Sequence, residues 1–190
     1  RRPRTTYQPM PPHNHQKPHS HKLRENRSDQ PGTFFITKCL DPATISLARQ
    51  EFADTIIDAF KFAVKHERID IAAFCIMPDH WHLLCGIRDP WNLSSFMHAL
   101  DSWVCGQTIT PLKMHHSAWQ EGFHDTRIRS TKQFHFMLSY IENNPVEEEL
   151  VESPGMWQWS SAHESYGGLL IRPWPWGFEN DKHNDMVGIY

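Results

Sequence analysis

The sequence predicts an α+β fold, in which helices cover an antiparallel sheet. Short segments rich in β-forming residues and longer segments with helical periodicity follow one another in the order β-α-β-β-α-β-α. Only Pro78-Asp79 separates the second strand from the third, and such a tight turn joins antiparallel neighbours. This order is typical of ferredoxin-like and RNA-recognition-like domains.

The first half of the chain supplies a strand, a helix and a hairpin. Residues 33–40 are rich in Phe, Ile and Thr between two proline-containing pairs, which predicts the first strand. Apolar residues recur at helical spacing over residues 43–66, and Pro42 suits a helix start. Residues 69–77 and 80–87 are then predicted as the paired second and third strands.

The second half supplies two helices around a fourth strand. Asn92 can cap a helix that runs to about Gly106, and residues 119–128 are a plausible strand. Ser130 can cap the last helix, predicted over residues 131–144, and Pro145 is expected to end it.

Charge and composition set a basic arm apart from the rest of the chain. The net charge is −3 over 190 residues, yet the stretch from Arg1 to Arg27 has seven basic residues and one acidic residue. That stretch therefore carries about +6, and the remainder about −9. We predict a flexible arm over 1–30 and one compact domain after it. Arg24 and Arg27 are candidates for phosphate contacts, although a solvated arm is the simpler explanation of these charges.

Several function classes are disfavoured by composition. No run approaches the roughly 20 apolar residues of a membrane span, and the N-terminus lacks the apolar core of a signal peptide. The four cysteines form neither a CxxC pair nor a disulfide framework, which fits a reducing compartment. We expect a soluble, cytoplasmic protein that does not bind membranes.

Two histidines form the first candidate site. His80 and His82 lie two apart on the third strand, so both point to one face and could hold one metal ion. Cys85 has the opposite parity, which disfavours a zinc site that includes it. Structural hydrogen bonding or plain exposure of the pair remain open alternatives.

The last helix carries a second candidate. Tyr140 and Asn144 stand at i and i+4 on the flank of its apolar face, so their side chains are neighbours. On this evidence alone, a tyrosine such as Tyr140 is more often an amphipathic core-edge residue with its hydroxyl in solvent, and Asn144 would be a helix-terminating residue.

Several short motifs occur in an order that resembles the REP-associated tyrosine transposases, relatives of the small transposases of single-stranded-DNA insertion sequences. His80 and His82 of this chain match the HUH pair of that family, and Tyr140 matches its nucleophile. Asn144 matches the position that completes the metal site in the relatives. The acidic run 147–149 departs from the family, where a basic residue is common. The motifs are Met77–Leu84, Trp119-Gln120 with Phe123 and Ile128-Arg129, Tyr140-Ile141 with Asn144-Pro145-Val146, Leu150-Val151, Pro154, and Trp159-Ser160-Ser161.

The resemblance implies an HUH nuclease core, with the catalytic domain over 31–168 and a tail over 169–190. It also implies a specific chemistry. A metal-dependent enzyme would cut and rejoin single-stranded DNA at hairpin-forming repeats through a 5′-phosphotyrosine, using Mg²⁺ or Mn²⁺, as a monomer or homodimer. A phenol has a pKa near 10, so the tyrosine needs the assistance that a metal gives the phosphate. The alternatives are an inactive hairpin-binding module and a metal phosphodiesterase that uses water.

Further side chains are candidates for contacts with DNA. Arg127 and Arg129 could hold the backbone, or be ordinary solvated strand residues. Trp119 could stack on an unpaired base, although core packing is the commoner role of such a ring. Trp174 and Trp176 are expected to anchor the tail onto the domain rather than stack on bases.

Overall fold

The computed structural model describes residues 30–41, 49–108, 119–178 and 180–181, and it confirms the predicted α+β class. Four strands and three helices follow the predicted order, with two short 3-10 helices after them. Their bounds are β1 Gly32–Cys39, α1 Gln50–Lys65, β2 Ile69–Ile76, β3 His80–Ile87, α2 Leu93–Thr108, β4 His124–Arg127 and α3 Thr131–Glu147. None of the described helices combines the length and apolarity needed to span a membrane.

The sheet has the order β2-β3-β1-β4, and its strand pairs are antiparallel. This is the ferredoxin-like arrangement that the element order predicted. The predicted turn joins β2 to β3, and its Asp79 carbonyl accepts a hydrogen bond from the Leu40 backbone N–H at 2.7 Å. The two histidines therefore lie on one of the two central strands.

Helices cover both faces of this sheet. Helices α1 and α2 pack on one face around Phe60, Trp81 and Leu100, while α3 packs on the other around Leu84 and Ile141. Because side chains alternate along a strand, the fully buried Trp81 enters the α1–α2 core while His82 faces α3. The alternation of side chains along β3 thus places Trp81 on one face of the sheet and the two histidines on the other.

Two predicted element bounds were wrong. Arg49 is extended and precedes the first residue of α1, so the helix does not run continuously from residue 43; residues 42–48 lie outside the described part of the chain. Strand β4 has four residues instead of ten, because Trp119 makes only an isolated bridge with Leu40 and Gly122 adopts a positive φ of 76°.

Helix α3 also differs from its prediction, since it continues through Pro145 to Glu147. Proline removes one backbone hydrogen bond, but near the end of a helix that loss is small beside the burial of its ring. The end is closed by hydrogen bonds from Glu148 N to Asn144 O at 3.1 Å and from Leu150 N to Pro145 O at 2.9 Å. The predicted cap is confirmed, because Ser130 Oγ accepts from Gln133 N at 3.2 Å.

The described residues after 169 (170–178 and 180–181, called here the C-terminal segment) return to the sheet. Trp174 donates its indole N–H to Thr33 Oγ1 at 3.2 Å, and Trp176 donates to Asp70 Oδ2 at 2.9 Å. A Cβ at Gly86 would lie 2.4 Å from the Trp176 ring, so only glycine allows this close approach. Both tryptophans anchor the segment, as predicted.

Candidate active site

His80 and His82 face each other on β3, with their Nε2 atoms 3.1 Å apart. The other nitrogen of each ring has its own partner. Thr37 Oγ1 lies 2.9 Å from His82 Nδ1, and Asp79 Oδ1 lies 2.7 Å from His80 Nδ1. These contacts fix both rings with Nε2 directed toward a common point.

This geometry suits a divalent metal ion. Two nitrogens that each lie about 2.1 Å from one ion, at roughly a right angle, are about 3 Å apart. Histidines that bind metals usually have their second nitrogen held by a carboxylate or a similar partner, as Asp79 and Thr37 hold these. Among the described residues, no group of three or more His, Cys, Asp and Glu side chains could hold a metal ion, so a third ligand from this part of the chain would be of another type.

Asn144 offers such a ligand. It is 5% exposed, and its Oδ1 atom is buried without a hydrogen-bond partner among the described residues. A buried amide oxygen without a partner is unfavourable unless something else, such as a cation, binds it. An amide oxygen is also the hard type of ligand that Mg²⁺ and Mn²⁺ accept. In residue type, His80, His82 and Asn144 therefore fit the Mg²⁺ or Mn²⁺ that the family resemblance implies.

Tyr140 lies beside the histidine pair. Its ring centroid is 5.3 Å from that of His82 and 6.0 Å from that of Phe35, which itself stacks on His82 at 5.3 Å. Asn144 follows one helical turn later on α3. The fold thus brings the ring of the candidate nucleophile beside the ring of His82 within one chain.

Two buried cysteines near the site act as packing residues. Cys75 is paired with His82 in the β2–β3 register, and burial raises the pKa of its thiol to about 12. Burial also raises the pKa of the Cys85 thiol, which lies in the α1–α2 core as its parity predicted. Both thiols are therefore neutral at pH 7, and a neutral thiol is a poor metal ligand.

The candidate DNA-contacting residues are spread over the surface and the core. Arg127 lies on β4, where its guanidinium donates to Pro31 O at 3.2 Å and lies 5.7 Å from the Phe34 ring centroid. Arg129 is half-buried just before α3. Arg24 and Arg27 lie outside the described residues.

Trp119 is placed in the core, which is the commoner of the two roles weighed for its ring in the sequence. The residue is 6% exposed and packs edge-on against Phe52 and Trp81, at centroid distances of 5.8 and 6.4 Å. A base could not reach its faces without opening the α1–α2 core. Its contribution is hydrophobic burial.

Sequence reasoning missed Thr37, Asp79 and Phe35 as members of the site. Asp79 precedes His80 directly, so its position in the chain was a usable signal. Thr37 and Phe35 become neighbours of His82 only through the β1–β3 register, in which Thr37 lies opposite His82. That register is set by tertiary pairing, and local sequence does not reveal it.

Replacing Thr37 by valine is expected to weaken Mn²⁺ binding about 10- to 100-fold, as loss of an outer partner of a metal ligand usually does. Valine keeps the shape of threonine but removes the hydroxyl that lies 2.9 Å from His82 Nδ1. Calorimetric titration with Mn²⁺ measures the change. Thr126→Val, at an exposed position of β4, is the matched control, and equal affinities in the two variants would contradict the assigned role.

Comparison with known proteins identifies relatives over most of the chain. The family model described as "Transposase IS200 like" matches residues 44–144, a range that includes both histidines, Tyr140 and Asn144. A Haemophilus influenzae protein assigned by name to the REP-associated tyrosine transposases is 29% identical over 161 residues, covering 79% of this chain and 90% of the relative.

A solved structure shares the fold. It is that of a REP-associated tyrosine transposase bound to a REP hairpin, with 24% identity and a TM-score of 0.60. The match covers 77% of this chain and 86% of the other. The likeness establishes the architecture of the sheet and its helices.

Proposed function

The chain belongs to the IS200-like transposase family, whose model spans residues 44–144, and on this basis we propose that it cuts and rejoins single-stranded DNA with Tyr140 as nucleophile. One observation carries the proposal. The Tyr140 ring lies 5.3 Å from the ring of His82, whose Nε2 atom is 3.1 Å from that of His80. Attack of a tyrosine on a phosphodiester requires a phenol beside a metal site. Here the phenol lies beside the two histidines that would form that site.

The metal site would be formed by His80, His82 and Asn144. A Mg²⁺ or Mn²⁺ ion bound there would neutralise charge on the scissile phosphate. The two nitrogen ligands favour Mn²⁺ over Mg²⁺. Thr37 and Asp79 hold the two imidazoles in the orientation that directs both Nε2 atoms inward. The Phe35 ring, stacked on His82 and edge-on to Tyr140, excludes water from one side of the reacting groups.

The reaction proceeds by two displacements at one phosphorus. Tyr140 Oη loses its proton to solvent and bonds to phosphorus, while the bond to the 3′ oxygen breaks and that oxygen leaves as a hydroxyl after gaining a proton. The product is a 5′-phosphotyrosine. The 3′-hydroxyl of another strand then attacks the same phosphorus and releases Tyr140, so joining needs no ATP because each step exchanges one phosphate ester for another.

The substrate we propose is hairpin-forming single-stranded DNA. The structural relative is bound to a REP hairpin, and this chain shares its fold. Arg127 and Arg129 are proposed to contact the DNA backbone, together with Arg24 and Arg27 of the basic arm. Exposed acidic residues at 147–149 would repel phosphates at the end of α3, which favours approach of the backbone from the arginine side.

A denaturing gel tests the proposal directly. Protein is incubated with Mn²⁺ and hairpin DNA labelled at its 3′ end, since the fragment on the 3′ side of the cut becomes attached to the protein. A slow-migrating adduct that a chelator abolishes is expected. Free fragments without an adduct would favour water as the nucleophile, and binding without cleavage would favour an inactive hairpin-binding module.

Tyr140 is proposed to act on the metal site of its own chain. Mixing Tyr140→Phe protein with His82→Ala protein is therefore expected to yield no adduct, because neither chain has both parts of the site. Adduct yield on a gel after prolonged mixing measures this. Recovery of activity would show instead that a partner chain supplies the tyrosine, since a mixed dimer would then contain one complete site.

A further inference from the structure

The C-terminal segment contacts α3 at its start, its middle and its apolar face. We propose that this segment positions the helix that carries the nucleophile, with Arg172, Trp174 and Asp181 as positioning residues. The inference rests on the proposed role of Tyr140, and none of the contacts described for these three residues involves Tyr140 or the histidine pair.

Asp181 holds the start of α3. Its carboxylate accepts hydrogen bonds from the Thr131 backbone N–H at 3.1 and 3.2 Å, and also from the Thr131 hydroxyl. Ser130 satisfies the backbone N–H of Gln133 in the same turn. A carboxylate at this end interacts favourably with the helix dipole. The first turn is therefore tied to a residue that is 50 positions away in the chain.

Arg172 holds the middle of the helix. Its guanidinium lies 2.7 Å from the carboxylate of Glu142, which is two residues beyond Tyr140. The hydroxyl of Ser161 donates to the same carboxylate at 3.3 Å. Because Glu142 is on a different side of α3 from Tyr140, a tether there resists rotation of the helix about its axis.

Trp174 connects the helix to the sheet. Its ring stacks on Phe134 of α3 with a centroid distance of 5.3 Å and an interplanar angle of 28°. Its indole N–H reaches Thr33 of β1 at 3.2 Å. One side chain therefore sets how α3 lies against the strand that also carries Thr37.

These three tethers oppose slippage of α3 along its axis and rotation about it. Slippage by one residue would move a side chain about 1.5 Å along the helix axis and turn it by about 100°. A displacement of about 1 Å can cost up to about 100-fold in rate when the reacting atoms must be aligned. The segment is thus expected to control catalysis without changing binding of the hairpin.

The test compares two double variants that each remove two charged side chains. Arg172→Ala/Asp181→Ala removes the two polar tethers and leaves Trp174 in place, whereas Asp58→Ala/Lys61→Ala removes an exposed ion pair of α1 with a 3.0 Å contact. We expect the first to slow single-turnover adduct formation about 10- to 100-fold at saturating hairpin, with Kd within about twofold of wild type. The second should match wild type, and Arg172→Lys/Asp181→Glu should recover most of the rate.

A second readout needs no activity. The ¹⁹F resonance of 3-fluorotyrosine at position 140 reports the ring environment beside His82, and we expect it to shift in the tether variant but not in the α1 control. An unchanged resonance together with an unchanged rate would overturn the inference, as would weaker hairpin binding with an unchanged resonance. If wild type forms no adduct, the proposed function fails, and the resonance alone still decides whether the segment positions Tyr140.

Discussion

Replacing Tyr140 by phenylalanine is expected to eliminate the protein–DNA adduct, with a loss of at least about four orders of magnitude in the cleavage rate, as removal of a catalytic nucleophile typically gives. Phenylalanine keeps the ring that contacts His82 and Phe35, so the fold and hairpin affinity should change little. Only the attacking oxygen is lost. Gel quantification of adduct and cleaved product over long incubations measures the effect.

Tyr166→Phe is the matched control for that variant. Tyr166 packs against the α1–α2 core, on the face of the sheet opposite α3, and donates its hydroxyl to Gln158 O at 3.0 Å. Its replacement should leave the adduct yield close to wild type. Cleavage that persists in Tyr140→Phe but not in Tyr166→Phe would refute the assignment of the nucleophile.

Replacing His82 by alanine is expected to abolish measurable Mn²⁺ binding and to reduce cleavage by more than about 100-fold, beyond the usual effect of losing an outer-shell partner. His82 is 4% exposed and contacts Thr37, His80 and Tyr140, so no surface residue can take its place. Mn²⁺ titration followed by single-turnover cleavage separates loss of metal from loss of DNA binding.

The exposed His124 of β4 provides the control, because His124→Ala removes an imidazole from the same sheet. Its Mn²⁺ affinity and cleavage rate should equal those of wild type. Equal metal dependence in His82→Ala and wild type would rule out the two-histidine site.

The sequence revealed the parts of the site that depend on local periodicity. The period of two along β3 placed His80 and His82 on one face, and the structure places the intervening Trp81 in the opposite core. The helical period placed Tyr140 one turn before Asn144, as observed on α3. Both predictions needed only the geometry of a single element.

What could not be predicted depends on how elements meet. The pairing of Thr37 with His82 follows from the β1–β3 register, which the alternation of side chains constrains but does not specify. Trp119 was ambiguous because a large aromatic ring suits both a core and a base-stacking platform, and only its burial against Phe52 resolves the choice. Local sequence rules predicted that α3 ends before Pro145, whereas the burial of Pro145 favours continuation of the helix.

The most direct test of the central claim is to identify the residue that becomes linked to DNA. Wild-type protein is reacted with hairpin DNA and Mn²⁺, digested with nuclease and protease, and analysed by tandem mass spectrometry. We expect a nucleotide attached through phosphate to Tyr140 and to no other residue. A nucleotide on a different side chain, or cleaved DNA with no nucleotide on any peptide, would contradict the account.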